Sequence, residues 1–170
     1  SVSLNKGDRV ELSKDSRVNA VSVCLGWDTA KYDDDGDFDL DASAFVIGKN
    51  GMTRRDEDFI FYNNLQHPSG GITHSGDNLT GGGDGDDEVI KVVLNKLPKY
   101  AEKVVFCVTI HEAERRMQNF GMVENSFIRV VDDNTGREIA RYDLKEKFGD
   151  STQLSQVKST EMDLVGNSTL

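Results

Sequence analysis

The chain has 170 residues, 36% of them hydrophobic and 29% charged, with a formal net charge of -10. That composition suits one soluble globular domain with a real core, and the excess negative charge argues against nonspecific nucleic-acid or anionic-membrane binding. No apolar run approaches the roughly 20 residues of a membrane helix, so direct insertion is not expected, and the N-terminal S-V-S-L-N-K-G-D has no signal-peptide h-region, which points to the cytoplasm.

In chain order the elements read mostly as β. Val18 to Leu25 is rich in Val without a helical period. Phe38, Leu40, Ala42, Ala44 and Val46 then alternate with Asp37, Asp39, Asp41 and Ser43, a period of two. Phe59 to Tyr62 is a short strand that feeds Asn63 and Asn64. Val89 to Leu94, Val104 to Ile110, Phe127 to Val131 and Glu138 to Leu144 are further strands. Asp132-Asp133-Asn134-Thr135-Gly136 reads as a hairpin loop, since Asn and Gly accept positive φ. A helix is expected from about Glu112 to Asn119, and a helical turn near Pro98 to Glu102. The fold class is therefore mainly β, a two-sheet β-sandwich with one or two short helices. Cys24 and Cys107 both lie in apolar β-like runs and read as reduced core thiols; no Cys/His spacing suggests zinc.

The acid is clustered. Asp28, Asp33, Asp34, Asp35, Asp37, Asp39 and Asp41 form one group; Asp77, Asp84, Asp86, Asp87 and Glu88 form another. From Asp56 to Ile90 there is no Lys or Arg. Carboxylates crowded without a cation repel one another, and a hard cation relieves them. Calcium takes six to eight oxygens from carboxylates, amides and backbone carbonyls. Asp77, Asn78, Asp84, Asp86, Asp87 and Glu88 supply that chemistry, with Gly81, Gly82, Gly83 and Gly85 as a frame that lets carbonyls turn inward. By strand parity Asp37, Asp39 and Asp41 share a face, and Asp37 and Asp39 are candidates for the same site. Both acidic groups adjoin strands and are expected to meet at one rim of the sandwich. The ligand supply allows one or two ions.

This is not an EF-hand. Asp33, Asp35 and Asp37 fit positions 1, 3 and 5 of such a loop, but Phe38 stands where Gly is required and Ala44 where the closing Glu is required. Nor is it a phosphate loop, because the lysine is missing and the acids repel phosphate. His67, His74 and His111 are scattered and read as structural, with His74 placed to hydrogen-bond the following loop. No Ser/His/Asp arrangement can be identified from spacing. The expectation is a protein that is not an enzyme. Two alternatives remain: a metal-assisted hydrolase, and a module binding a cyclic nucleotide or phospholipid through calcium.

Several segments carry a family resemblance. L-G-W-D (Leu25 to Asp28), D-F-D-L-D-A-S-A-F (Asp37 to Phe45), F-I-F-Y-N-N-L (Phe59 to Leu65) and H-S-G-D-N-L-T-G (His74 to Gly81) are four of them. G-D-G-D-D-E (Gly83 to Glu88), V-T-I-H-E-A (Val108 to Ala113), F-I-R-V-V (Phe127 to Val131) and E-I-A-R-Y-D-L (Glu138 to Leu144) follow in order. Together they resemble the TerD family of tellurium-resistance and stress-response proteins. The resemblance implies a cytoplasmic calcium-binding β-sandwich, acting as scaffold or sensor with other Ter proteins, some of them membrane-associated. It places the ligands on Asn63, Asn64 and the segment from Asp77 to Glu88, Gly81 included.

The chain departs from the family pattern in two places. Gly82 stands where the family usually carries Glu. After Leu144 the family's Trp-Lys-Phe strand and Gly-Gln-Gly-Tyr turn are absent. Residues 1–144 therefore read as the calcium-binding sandwich and 145–170 as an atypical C-terminal segment, in which either the last strand is replaced or order is lower.

Overall fold

Alternation between buried and half-buried side chains builds the sheets. In β4 (Leu40–Ile47), Leu40, Ala42, Ala44 and Val46 point into the protein while Asp41, Ser43 and Phe45 take the other face. In β8 (Lys103–Ile110), Val104, Phe106, Val108 and Ile110 do the same. The computed structural model describes residues 2–3, 9–11, 18–28, 38–76, 85–144, 153–158 and 161–167.

Among the described residues two six-stranded sheets result. One runs β1 (Val2–Ser3), β10 (Glu138–Asp143), β9 (Phe127–Asp132), β3 (Ala20–Gly26), β7 (Glu88–Val93) and β6 (Ile72–His74). The other runs β2 (Arg9–Glu11), β12 (Glu161–Asn167), β11 (Gln153–Lys158), β8, β4 and β5 (Phe59–Ile60). Neighbouring strands are antiparallel except for β1 beside β10. The core lies between the sheets, with Val21, Val23, Leu25, Ile90, Val92 and Val130 among its members. Each such aliphatic side chain contributes about 1.5–3 kcal/mol by leaving water.

The expected two-sheet sandwich is thus present, with several differences in detail. Residues 153–158 pair with β8, Leu154 opposite Val108, and residues 161–167 pair with residues 153–158. Residues 153–158 and 161–167 thus extend the sheet that contains β8. Helix α1 is a single turn (Ala113–Arg116) rather than two, because Glu112 and Met117 at its ends both take positive φ, 53° and 52°. The hairpin loop is as expected: Gly136 has φ 72° and its N–H donates to the Asp132 carbonyl at 2.8 Å.

The two thiols are not in the inter-sheet core. Val23 and Leu25 fill that position on β3, so parity turns Cys24 to the outer face, where it is nonetheless buried; Cys107 is half-buried on the outer face of β8. Both are free.

One end of the sandwich collects the acid. β3 and β8 end there, while β4, β7 and β9 begin there, as the pairs Leu25 with Glu88, Gly26 with Phe127 and Leu40 with Ile110 show. Asp28 and Phe38, which flank segment 29–37, belong to this rim, as do Gly76 and Gly85, which flank segment 77–84.

Candidate metal centre

Three rim residues come together from two strands. The register of β4 against β8 sets Leu40 opposite Ile110, and the His111 N–H donates to the Asp39 carbonyl at 2.7 Å. Continuing the same parity brings Asp39, Asp41 and His111 to one face. One ligand atom from each lies within 4.8 Å of the others.

The carboxylates on the facing sheet are engaged differently. Asp86 makes a two-pronged pair with Arg129 of β9, at 2.9 Å from Nε and 2.7 Å from Nη2. Asp87 Oδ2 accepts the Trp27 N–H at 2.8 Å, and the Asp87 N–H donates to the Leu25 carbonyl. Burial pushes the Asp87 carboxyl above its usual range; the Trp27 N–H opposes this, and the charges of Asp86 and Asp28 add to it. Asp28 itself accepts from Asn125 Nδ2 at 2.6 Å.

Glu88 is the first residue of β7 and shares parity with Ile90 and Val92, so its side chain enters the interior. It reaches across to β4, where Oε2 accepts the Ala42 N–H at 2.7 Å. His74, at the matching inward position of β6, brings Nε2 within 3.0 Å of the Ala42 carbonyl. Its Nδ1 accepts the Gly76 N–H at 2.9 Å, so the ring is neutral and Nε2 carries the proton. The reason lies in β5, which pairs with β4 only at Ala44 and Phe45. Beyond it the backbone of Ala42 has an edge without a strand, and a buried N–H and C=O require partners. Glu88 and His74 provide them and tie the two sheets together at the rim. His74 also anchors the entry to segment 77–84 through Gly76.

Asn63 and Asn64 lie at the same end, since β5 runs antiparallel to β4 and toward the rim. They form a tight turn in which Phe61 and Asn64 exchange backbone hydrogen bonds at 3.1 and 2.9 Å. Asn64 Nδ2 donates to the Phe59 carbonyl at 2.8 Å, and Asn63 is exposed at the tip. Asp37, Asp77, Asn78, Gly81 and Asp84 fall outside the described residues. Of the sequence candidates, the structure therefore places Asp39 in a close group and commits Asp86, Asp87 and Glu88 to contacts with three different elements.

Two arrangements escaped the sequence. His111 joins Asp39 only through the β4–β8 register. A second group lies further down the sandwich. Asp58 Oδ1 accepts from His67 Nε2 at 2.8 Å and from the Tyr100 hydroxyl at 2.5 Å, while Oδ2 accepts the Arg54 and Arg55 N–H groups at 2.9 and 3.3 Å. Nδ1 of His67 takes the hydroxyl of Ser69 at 2.9 Å and its N–H at 3.1 Å. Burial works against the Asp58 carboxylate, but the bonds from Tyr100, His67, Arg54 and Arg55 outweigh it and hold the group below the usual carboxylate range.

A family model described as the TerD domain matches residues 1–158. The tellurium resistance protein TerD of Serratia marcescens is 52% identical over 155 residues, which is 91% of this chain and 80% of that protein. General stress protein 16U of Bacillus subtilis (strain 168) is 49% identical over 155 residues, with the same shares of 91% and 80%. A solved homologue of telluride resistance protein TerD from Streptomyces coelicolor A3(2) matches with a TM-score of 0.71 at 21% identity, covering 89% of each chain, a likeness of fold. The chain belongs to the TerD family of tellurium-resistance and stress-response proteins.

Proposed function

We propose that the acidic rim binds calcium, one or two ions, and that the protein serves tellurium resistance and stress response as a non-catalytic scaffold or sensor. The observation that carries this reading is the convergence of Asp39 and Asp41 at the end of the sandwich where both acidic segments are anchored. The fit is metric. Ligand atoms on opposite sides of a calcium ion, each roughly 2.3–2.6 Å from it, stand up to about 5 Å apart, and the atoms of Asp39, Asp41 and His111 lie within 4.8 Å. Calcium prefers oxygen, so Asp39 and Asp41 are the ligands and His111 is their neighbour. When bound, the ion supplies positive charge that offsets the crowding of Asp28, Asp86 and Asp87 and joins segments of both sheets. Asp37, Asp77, Asn78, Gly81 and Asp84 complete the proposed donor set.

The fold offers no helix among the described residues that is long and apolar enough to cross a membrane. The working site is the cytoplasm, with other Ter-family proteins as partners, and the net charge of -10 speaks against nucleic acid.

A hydrolase reading has one observation in its favour, the hydrogen-bonded line of Asp58, His67 and Ser69. The line closes on itself. Ser69 Oγ accepts the Gly71 N–H at 3.1 Å, and both Ser69 donors go to the same His67 nitrogen. That is a side-chain-stapled turn, and we assign it a structural role.

Calorimetric titration with calcium tests the proposal, alongside thermal melts in calcium and in chelator. A ligand held only by the folded state at 100 times its Kd adds about 2.7 kcal/mol. Asp39→Asn with Asp41→Asn should abolish most of that gain. Identical melts in millimolar calcium and in chelator would refute the reading.

A further inference from the structure

β4 and β8 carry a second feature at the ends away from the rim, roughly 23 Å along the strands from Asp41 at about 3.3 Å per residue. There a cavity of about 430 Å³ is lined by Lys49, Asn50, Arg54, Lys99, Tyr100 and Glu102. A neighbouring hollow extends it to Lys103. The concentration of positive charge is unusual in a chain of net charge -10. Several cations elsewhere are paired: Arg129 with Asp86, Lys91 with Asp133, Arg115 and Arg116 with Glu112. Among the described residues no ion pair engages Lys49, Arg54, Lys99 or Lys103. Cations that outnumber the acid round a concavity raise its local potential and favour an anion.

The cavity is also built rather than incidental. The Arg54 guanidinium lies over the Tyr100 ring, 4.8 Å from its centroid. The Tyr100 hydroxyl is fixed to buried Asp58, whose other oxygen holds the Arg54 N–H. One carboxylate thus positions the backbone of one wall and the side chain of the other. Stacking on Tyr100 uses a face of the guanidinium and leaves its edge, the geometry that grips a phosphate through two N–H groups. Asn50 stands in a turn that its own side chain stabilises, Oδ1 accepting the Met52 N–H at 3.1 Å; its amide nitrogen adds a donor at the wall. Glu102 is the single acid on the wall and is an acceptor for hydroxyls.

We propose that this basic pole is a binding site for a phosphate-bearing small molecule with a hydroxylated body, of sugar-phosphate size. Lys49, Arg54 and Lys99 hold the phosphate, and Glu102 accepts from the hydroxyls. The volume lies in the range of small-ligand pockets, about 300–1,000 Å³. The site is independent of calcium, because its ligands are cations at the far ends of the strands.

The test is an amide chemical-shift titration of the whole chain in chelator, with inorganic phosphate, ribose phosphate and free ribose as probes. Binding should shift Lys49 to Arg54 and Tyr100 to Lys103, weaken as salt is raised, and be tighter for ribose phosphate than for phosphate. Free ribose alone should bind least. Arg54→Gln with Lys99→Gln should weaken phosphate binding about tenfold or more, with the rim's shifts unchanged and the melting temperature lowered by no more than a few degrees, the share of the exposed Arg54–Tyr100 contact. Lys91→Gln, outside the pocket, should leave binding as it is. No shifts at millimolar phosphate, or shifts that survive the double substitution, would overturn the proposal. Because chelator is present throughout, failure here and failure of the calcium reading are separate results.

Discussion

Asp58 offers the sharpest test of how the interior is held. The residue is fully buried and its two oxygens accept four hydrogen bonds, two each. Asp58→Ala strands four donors and removes a charge they were arranged to meet. Breaking a buried charged network of this kind costs about 3–5 kcal/mol. Asp58→Asn keeps the shape but presents an NH2 to one pair of donors. The backbone N–H groups of Arg54 and Arg55 cannot become acceptors, so the NH2 must turn toward Tyr100 and His67. Tyr100 can rotate its hydroxyl, and His67 can move its proton from Nε2 to Nδ1 and donate to Ser69 Oγ, at the loss of the bond that Nδ1 accepts from the Ser69 N–H. The cost of Asn is then only about 1–2 kcal/mol. For a chain of this length one kcal/mol moves the melting temperature by about 2–4 °C. Alanine should lower it by about 6–20 °C and asparagine by about 2–8 °C. In Asn the His67 ring nitrogens should exchange their 15N shifts, which reports the tautomer directly. The pH dependence has a definite sign. The folded carboxyl lies below its unfolded value of about 4, so its contribution is present above about pH 4 and fades as pH falls through the lower folded value. The wild type should therefore lose more stability than Asp58→Asn on acidification. Equal destabilisation by Ala and Asn, or an unchanged His67 tautomer, would refute the argument.

Three further outcomes can be checked together. Glu88→Ala should cost about 2–4 kcal/mol in denaturant unfolding, since it bares the Ala42 N–H and leaves a cavity, while Glu88→Gln retains an acceptor and should cost less. Equal costs for the two would contradict the role assigned to that oxygen. At Gly26 a Cβ would stand 2.4 Å from the Phe127 ring and 2.9 Å from the Gly85 carbonyl; the ring can swing aside but the backbone oxygen must shift, so Gly26→Ala should destabilise by about 1–3 kcal/mol by the same measurement. Cys24 has its thiol pushed up to about 12 by burial and by the Asp86 charge, with Arg129 opposing, and burial raises Cys107 too. Both should resist an aromatic disulfide reagent at neutral pH until the protein unfolds, and rapid labelling of the native state would be inconsistent with this.

Strand patterning was readable because it is local. The alternation of Leu40, Ala42, Ala44 and Val46 with Asp41, Ser43 and Phe45 fixes both the strand and its buried face without knowledge of its neighbours. What depends on register was not readable. Asp39 meets His111 because β4 pairs with β8 with Leu40 opposite Ile110, and no property of either strand alone dictates that alignment. The same holds for Asp58, whose partners Arg54, His67 and Tyr100 come from three separate turns. The tail was obscure for another reason: its strands lack the aromatic residues that mark the family's last strand, and only pairing with β8 reveals them. The expected helix from Glu112 was too long because propensity does not register the positive φ that the chain needs at both ends of α1.

The division of labour among the acids decides which substitutions can speak about calcium. Asp86, Asp87 and Glu88 are adjacent in sequence, yet one braces Arg129 of β9, one the chain after β3, and one Ala42 of β4. Replacing any of them removes a tertiary contact together with a candidate ligand. A weaker calcium response in such a variant would follow from either loss, and a two-pronged pair such as that of Asp86 with Arg129 is itself worth a measurable part of stability. Asp39 and Asp41 lie two residues apart on one face where β4 begins, with His111 beside them just past the end of β8. Two carboxylates brought that close repel one another when both are ionised, so converting them to Asn should leave the chelated protein as stable or more so, and remove the calcium gain. That opposite pair of signs, neutral or better without the ion and worse with it, belongs to a ligand and not to a brace.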